Sequence, residues 1–335
     1  RDEYISMEVL DKKTGLMKTW TPHNANGRFS NDSITLKSAF ARSINSIAVR
    51  LGQEMGIKNI IRTAQEMGIK SPLDDEPSLA LGSSDVNLLE LVNAYSTVAN
   101  EGEHHAPVVV TRILDKDGNE VYVAPKDHER VLPYKSAFLM QQMLKAGVNE
   151  GGGTSQALRH YIFGDTDWGG KTGTSNNHSD AWFIAVSPKL VVGAWVGGEY
   201  RSIHFRTGAL GQGSKTALPI CGEFIYSLMR DKAFQKYHAK WQIDPDEGIE
   251  PTAYNCQPTV IRHALPDSLQ GVISRRRHQE KEEEPIDENE NNDEGGFILE
   301  PMPQPAPERE NNSPNNESQK IIKKAKKPRS EDMEV

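Results

Sequence analysis

Gly169-Gly170-Lys171-Thr172-Gly173-Thr174-Ser175 gathers one ammonium and a row of hydroxyls on a glycine-rich run. On a strand, alternate side chains face opposite ways, so Lys171 points to one side and Thr172 and Thr174 to the other. Gly173 has no side chain, so a ligand backbone can lie against the strand edge there. An edge of this kind offers an ammonium, two hydroxyls and free backbone amides, a set suited to a peptide that carries a carboxylate. A phosphate-binding P-loop is the competing reading. It fails because the leading glycine of Gly-x-x-x-x-Gly-Lys-Thr is absent. Taken alone, the segment is an ordinary strand that begins in glycine.

Ser43-Ile44-Asn45 is the second candidate. It lies inside an apolar stripe with helical spacing, and residues two apart on a helix project roughly 200° from each other. Ser43 and Asn45 can act together only if the helix breaks there, with Asn45 or Ser46 capping the next one. By itself the triplet supports no more than a surface role. Other conspicuous residues read as structural. His104-His105 is a surface pair near a loop with no ligand pattern around it. Cys221 is a small hydrophobe in the apolar face of a helix. Trp182 and Trp195 pack in the core, and Gly151-Gly152-Gly153 ends a helix.

The elements that must position these residues follow from periodicity. Leu36, Phe40, Ile44, Ile47, Leu51 and Met55 recur at spacings of three and four, with Thr35 as an N-cap. Ile57 to Met67, Leu88 to Val98, Ser136 to Val148 and Pro219 to Met229 are further helical stretches, the first stopping at Gly68. Asp115-Lys116-Asp117-Gly118-Asn119 is a hairpin turn between two short strands. From Gly169 the period shortens to two. Gly169 to Ser175, Ala181 to Val186 and Leu190 to Val196 form a meander of antiparallel strands. The order of helices, hairpin, helix, strands and helix predicts an α+β fold, an antiparallel sheet flanked by helices.

The 335 residues carry 47 acidic and 39 basic side chains, a net charge of −8. Residues 275–335 hold 16 acidic and 11 basic groups, so the body, residues 1–274, is close to neutral at −3. Binding to nucleic acid would call for a basic excess, which the body lacks. The body is large enough for a well-buried core. No apolar run approaches the roughly 18 residues that span a bilayer. Cys221 and Cys256 allow at most one bridge, and the sequence leaves open whether it forms. Residues 275–335 combine an acidic run, a proline-rich segment and a Lys/Arg cluster with one aromatic residue, Phe297, and predict a disordered tail. The basic cluster reads as a solvated charge run rather than an address signal.

Together the two candidate segments resemble the penicillin-binding transpeptidases, in particular the transpeptidase domain of bifunctional, class A penicillin-binding proteins. That family shares Ser-x-x-Lys, Ser-x-Asn and Lys-Thr-Gly with the serine β-lactamases. Ser43-Ile44-Asn45 resembles the second element, and Lys171-Thr172-Gly173-Thr174-Ser175, followed by Asp180-Ala181-Trp182-Phe183, the third. Pro77 to Gly82, Asn93 to Gly102, Gly153 to Ala157 and Gly193 to Gly197 also match stretches typical of class A enzymes. The likeness runs from about Trp20 to about Met229. No Ser or Thr has Lys three positions later, so the first element is missing. Lys13-Thr14-Gly15 is a decoy, since it precedes Ser43 and lacks the flanking strands.

The resemblance implies a serine β-lactamase/penicillin-binding transpeptidase-like fold and D-alanyl-D-alanine transpeptidation of peptidoglycan stem peptides, with β-lactams as inhibitors. It implies no cofactor, no metal and a place on the outer face of the cytoplasmic membrane. It assigns Ser43 to proton relay, Asn45 to orienting the substrate amide, and Lys171 to a positive field near Ser43. Thr172 and Thr174 would bind the terminal carboxylate, with Ser175 beside them, and the Thr174 amide would be one arm of an oxyanion hole. The other arm and the nucleophile would lie upstream, along with a glycosyltransferase domain and a membrane anchor. The chain is thus expected to be a C-terminal fragment, inactive by itself. A D,D-carboxypeptidase or β-lactamase-type hydrolase would share the motifs, and a non-catalytic binding module is the remaining alternative.

Overall fold

A computed structural model describes residues 1–12, 14–256 and the backbone of 260–261. These residues fall in a compact unit, Arg1–Leu265. The tail, residues 275–335, with its basic cluster, and Lys13 of the decoy triplet lie outside the described residues. In chain order the elements begin with β1 (Met7–Leu10), β2 (Met17–Trp20), β3 (Ser33–Ile34), α1 (Leu36–Ala41), α2 (Asn45–Met55) and α3 (Ile57–Glu66). Then come α4 (Leu88–Ala99), β4 (Glu103–His105), β5 (Arg112–Leu114), β6 (Glu120–Val123), β7 (His128–Arg130) and α5 (Tyr134–Asn149). The chain continues with β8 (Gly169–Thr174), β9 (Asp180–Val186), β10 (Val191–Gly197), α6 (Gly208–Gly211), α7 (Ala217–Arg230) and β11 (Val260–Ile261).

The central sheet is antiparallel in the order β10-β9-β8, with Thr172 opposite Phe183 and Ala194 opposite Phe183 on the other side. Phe183 and Ala185 pack with Val148, Leu158, Leu218, Cys221 and Ile225, the last three from α7. Ile184 and Val186 pack with Val98, Ala99 and Leu144, from α4 and α5. Both faces of β9 are therefore covered, which is why Phe183 to Val186 is an unbroken apolar run instead of an alternating one. Each such side chain contributes roughly 1.5–3 kcal/mol by leaving water. The α+β class with helices on an antiparallel sheet is as the sequence predicts.

The N-terminal region departs from expectation. Residues 7–20 form a hairpin, β1 with β2, turning at Gly15 with φ +70°. Strands therefore do flank the decoy triplet, contrary to the sequence reading, and its Thr14 and Gly15 sit in the turn between them. Trp182 and Trp195 are not core residues: their rings lie 6.3 Å apart and Trp195 is 40% exposed, its Nε1 donating to Asp180. His104 and His105 lie in the short strand β4, with His104 bonded to Thr97 and His105 stacked on His128. Both cysteines are free thiols.

Candidate active site

The helix break occurs where the two-residue spacing requires it. Thr35 caps α1 by accepting from the Ser38 amide at 3.3 Å. The helix then closes with Ser43 N–H donating to Phe40 O and Ile44 N–H to Ala39 O, both at 3.0 Å. This is a Schellman motif with serine where glycine is usual. Ser43 accordingly has φ +57°, a left-handed conformation that costs roughly 1 kcal/mol for a residue with a Cβ. Strain of this kind at a polar residue is a reason to look for a role.

Neither Asn45 nor Ser46 caps α2, contrary to the sequence expectation. Ile44 occupies the cap position and its side chain makes no cap bond. The Ser46 amide donates instead to Oδ1 of Asn24 at 3.2 Å, a cap supplied from 22 residues away. Asn45 Nδ2 donates to the carbonyl of His23 at 2.7 Å. Behind the break sits Asp2, buried at 4% exposure. Its carboxylate accepts from Asn24 Nδ2 at 2.7 Å, Ser46 Oγ at 2.8 Å, and both the amide and Oγ of Ser30 at 2.9 Å. Nothing in the sequence pattern marks this knot.

From the other side β8 presents its outer edge, which pairs with no strand among the described residues. Lys171 Nζ donates to Ser43 Oγ at 2.9 Å and to the Thr172 carbonyl at 2.8 Å. Thr172 Oγ1 donates to Thr154 Oγ1 at 2.7 Å, and Thr174 Oγ1 accepts from the Gly213 amide at 3.0 Å. The alternation expected of the strand thus sends Lys171 to the helix break and the two threonines to other segments. Ser175 is used locally: its Oγ accepts from the Asp180 amide at 2.9 Å and lies 3.0 Å from Ser179 Oγ, tying the turn before β9. Ser43 and Lys171 meet at the helix break, whereas Thr172 and Thr174 turn to Thr154 and Gly213 on the other side of the strand. The Asn45 amide is held by the His23 carbonyl, and Ser175 serves the turn.

Two partners escaped sequence reasoning. Thr154 was visible only as part of a family-like stretch, and Gly213 carried no signal. Gly213 must be glycine for space, since a Cβ there would stand 2.6 Å from the Gly173 carbonyl oxygen. A similar closeness locks α5 to β8: a Cβ on Gly147 would meet the Gly170 oxygen at 2.7 Å, and one on Gly169 the Leu144 carbonyl carbon at 2.7 Å. The end of α5 is tied to α1 by Glu150, which pairs with Lys37 at 3.3 Å and accepts from Ser38 Oγ at 2.9 Å.

Burial pushes the Lys171 pKa down from 10.5 to about 8, since among the described residues no carboxylate pairs with it to replace lost water. The unfolded chain therefore binds this proton more tightly than the folded one. Stability rises with pH between about 8 and 10.5, and below that window the full penalty applies. Lys171→Met keeps the bulk of the stem without its charge. At neutral pH it should stabilise the fold by about 1–2 kcal/mol, the relief of burial exceeding the two lost hydrogen bonds. Thermal melts at neutral pH and near pH 10.5 check this. The advantage should fade at the higher pH, and a variant less stable than the wild type at both would contradict it.

Residues 3–196 match the family model described as "Penicillin binding protein transpeptidase domain". Penicillin-binding protein 2D of Bacillus subtilis is 37% identical over 183 residues, 54% of this chain and 26% of that protein. Penicillin-binding protein 1A of Neisseria meningitidis is 29% identical over 269 residues, 74% of this chain and 32% of that one. The chain therefore spans between a quarter and a third of these relatives. Among solved structures, penicillin-binding protein 1A from Haemophilus influenzae superposes with a TM-score of 0.62 at 25% identity, covering 72% of this chain and 39% of that one. The strained serine bonded to a half-buried lysine on an open strand edge is thus housed in a fold already known, and the chain belongs to the penicillin-binding protein transpeptidase domain family.

Proposed function

We propose that this chain supplies the substrate-binding and proton-handling part of a peptidoglycan D,D-transpeptidase. The observation that carries the reading is the 2.9 Å bond from Lys171 to Ser43 beside the open edge of β8. In the reaction a serine attacks the carbonyl of the penultimate D-alanine. The oxyanion collapses to a serine ester, and terminal D-alanine leaves after taking a proton. A stem-peptide amine then attacks the ester, loses its proton, and restores the serine hydroxyl. Ser43 hands the proton to the leaving amine, and Lys171 holds charge beside it. Asn45 orients the substrate amide, Thr172 and Thr174 receive the carboxylate, and the Thr174 amide supports the oxyanion, worth about 3 kcal/mol.

We take residues 1–274 as the transpeptidase part. The nucleophilic Ser-x-x-Lys is absent from these 335 residues and is assigned to a segment outside them. The same holds for a glycosyltransferase domain and membrane anchor, which would keep the site on the outer face of the membrane. Among the described residues no helix is long and apolar enough to cross a bilayer.

Incubated with a fluorescent penicillin, the chain alone should carry no label through a denaturing gel. A surviving adduct would place a nucleophile within it. Extended through a Ser-x-x-Lys segment, the protein should label. With a D-alanyl-D-alanine-terminated donor and an amine acceptor it should yield the cross-linked amide. Hydrolysed acid alone would assign a carboxypeptidase, and no labelling a binding module.

A further inference from the structure

We infer that Thr154 is a positioning residue for carboxylate recognition: its hydroxyl sets the direction of the Thr172 proton. The inference rests on the reading of β8 as a carboxylate-binding edge and adds to it a residue from outside the strand. Thr154 occupies the turn after α5, and three backbone bonds fix that turn. The Thr154 amide donates to Ala41 O at 3.0 Å, at the end of α1 and two residues from Ser43. The Ser155 amide donates to Gly147 O at 3.1 Å and the Gly153 amide to Glu150 O at 3.0 Å. Gln156 Nε2 also donates to Glu150 O at 2.5 Å. One residue thereby touches both halves of the site, the helix break through its backbone and β8 through its side chain.

The chemistry follows from the hydroxyl count. Thr172 has one proton, and in this structure it is given to Thr154 Oγ1 at 2.7 Å. A carboxylate accepts only, so it needs that proton turned towards it. Thr154 Oγ1 has a proton of its own, and two hydroxyls at this distance can exchange roles without moving a heavy atom. Thr154 then donates to Thr172, and Thr172 donates to the carboxylate. A hydroxyl that is itself receiving a hydrogen bond is the stronger donor, and a bond to a charged acceptor is worth more than a neutral one. Without Thr154 the Thr172 hydroxyl rotates freely and must be ordered at the moment of binding.

The test uses the 335-residue chain and a soluble probe, N-acetyl-D-alanyl-D-alanine, against the same dipeptide with a C-terminal amide. Affinities are read by NMR titration, and the acid-to-amide ratio isolates carboxylate recognition from packing. Thr154→Val should lower that ratio by about tenfold, the scale of one hydrogen bond to a charged group. Thr154→Ser should restore it. Thr172→Val should lower the ratio by itself, and adding Thr154→Val to it should change nothing further, because Thr154 acts through Thr172. Thr154→Ala, which adds no atom, repeats the measurement should the valine variant not fold. A wild-type ratio in folded Thr154→Val or Thr154→Ala overturns the inference and leaves the carboxylate edge standing. A wild-type chain that binds acid and amide equally overturns the edge reading, and the role of Thr154 with it.

Discussion

Lys171→Ala, in a form of the protein that carries a Ser-x-x-Lys segment, should be acylated by a penicillin on the order of a hundredfold more slowly. Two things vanish with the side chain: the ammonium beside Ser43, and the donor that fixes Ser43 Oγ in its strained position. The pH profile separates this from a packing defect. With a pKa of about 8, Lys171 is charged at neutral pH and loses its proton through the mildly alkaline range. A rate that depends on the ammonium therefore falls as pH rises through about 8, and the falling limb should be gone from the alanine variant. Thr172→Ala should cost less, since Thr174 and the edge amides still face the carboxylate. Stopped-flow acylation across that pH range measures all of these. A near-wild-type rate for Lys171→Ala would make the strand purely structural.

Asp2→Ala should lower the stability of the fold by about 3 kcal/mol or more. Among the described residues no cation pairs with this buried carboxylate; four hydrogen bonds from neutral donors hold it. Burial pushes its pKa up, but the bonds from Ser30, Ser46 and Asn24 outweigh that and leave it below 3.8. Its contribution is therefore full above about 3.8 and is lost as pH falls through the lower, folded value. Urea denaturation at neutral pH should show the full gap between wild type and variant, and an acidic series should show it closing. Asp2→Asn should rescue little, because its amide nitrogen would face donors. A loss under about 1 kcal/mol would mean that water takes over the bonds of the knot.

What the sequence made legible was local. A break near Ser43 was expected only on the condition that Ser43 and Asn45 act together, since residues two apart on a helix face apart, and the buried strands follow from runs such as Phe183 to Val186. The β1–β2 hairpin was not legible, since most of its side chains face water and each strand is only four residues long. The cap of α2 was misassigned because its donor, Asn24, is brought there by tertiary structure, and a local rule favours the nearest polar residue. Trp182 and Trp195 were placed in the core on size, whereas the Asp180 carboxylate holds Trp195 at the surface. Thr154 and Gly213 reach β8 across 18 and 39 residues, distances at which no periodicity operates.

The seam between α5 and β8 has a mechanical consequence. Packed elements shear by letting interlocked side chains change rotamer, each change absorbing a small slide. At Gly147 and Gly169 the gap holds backbone and the Leu144 Cβ, which no rotamer change moves. That contact has nothing to repack, so α5 and β8 travel as one stiff plate, with Lys171 and Thr172 mounted on it. The opposite wall hangs from three residues of non-helical chain, Arg42 to Ile44, and from the short loop that follows the seam. Any change in the width of the cleft must therefore leave the strand edge in place as the fixed jaw.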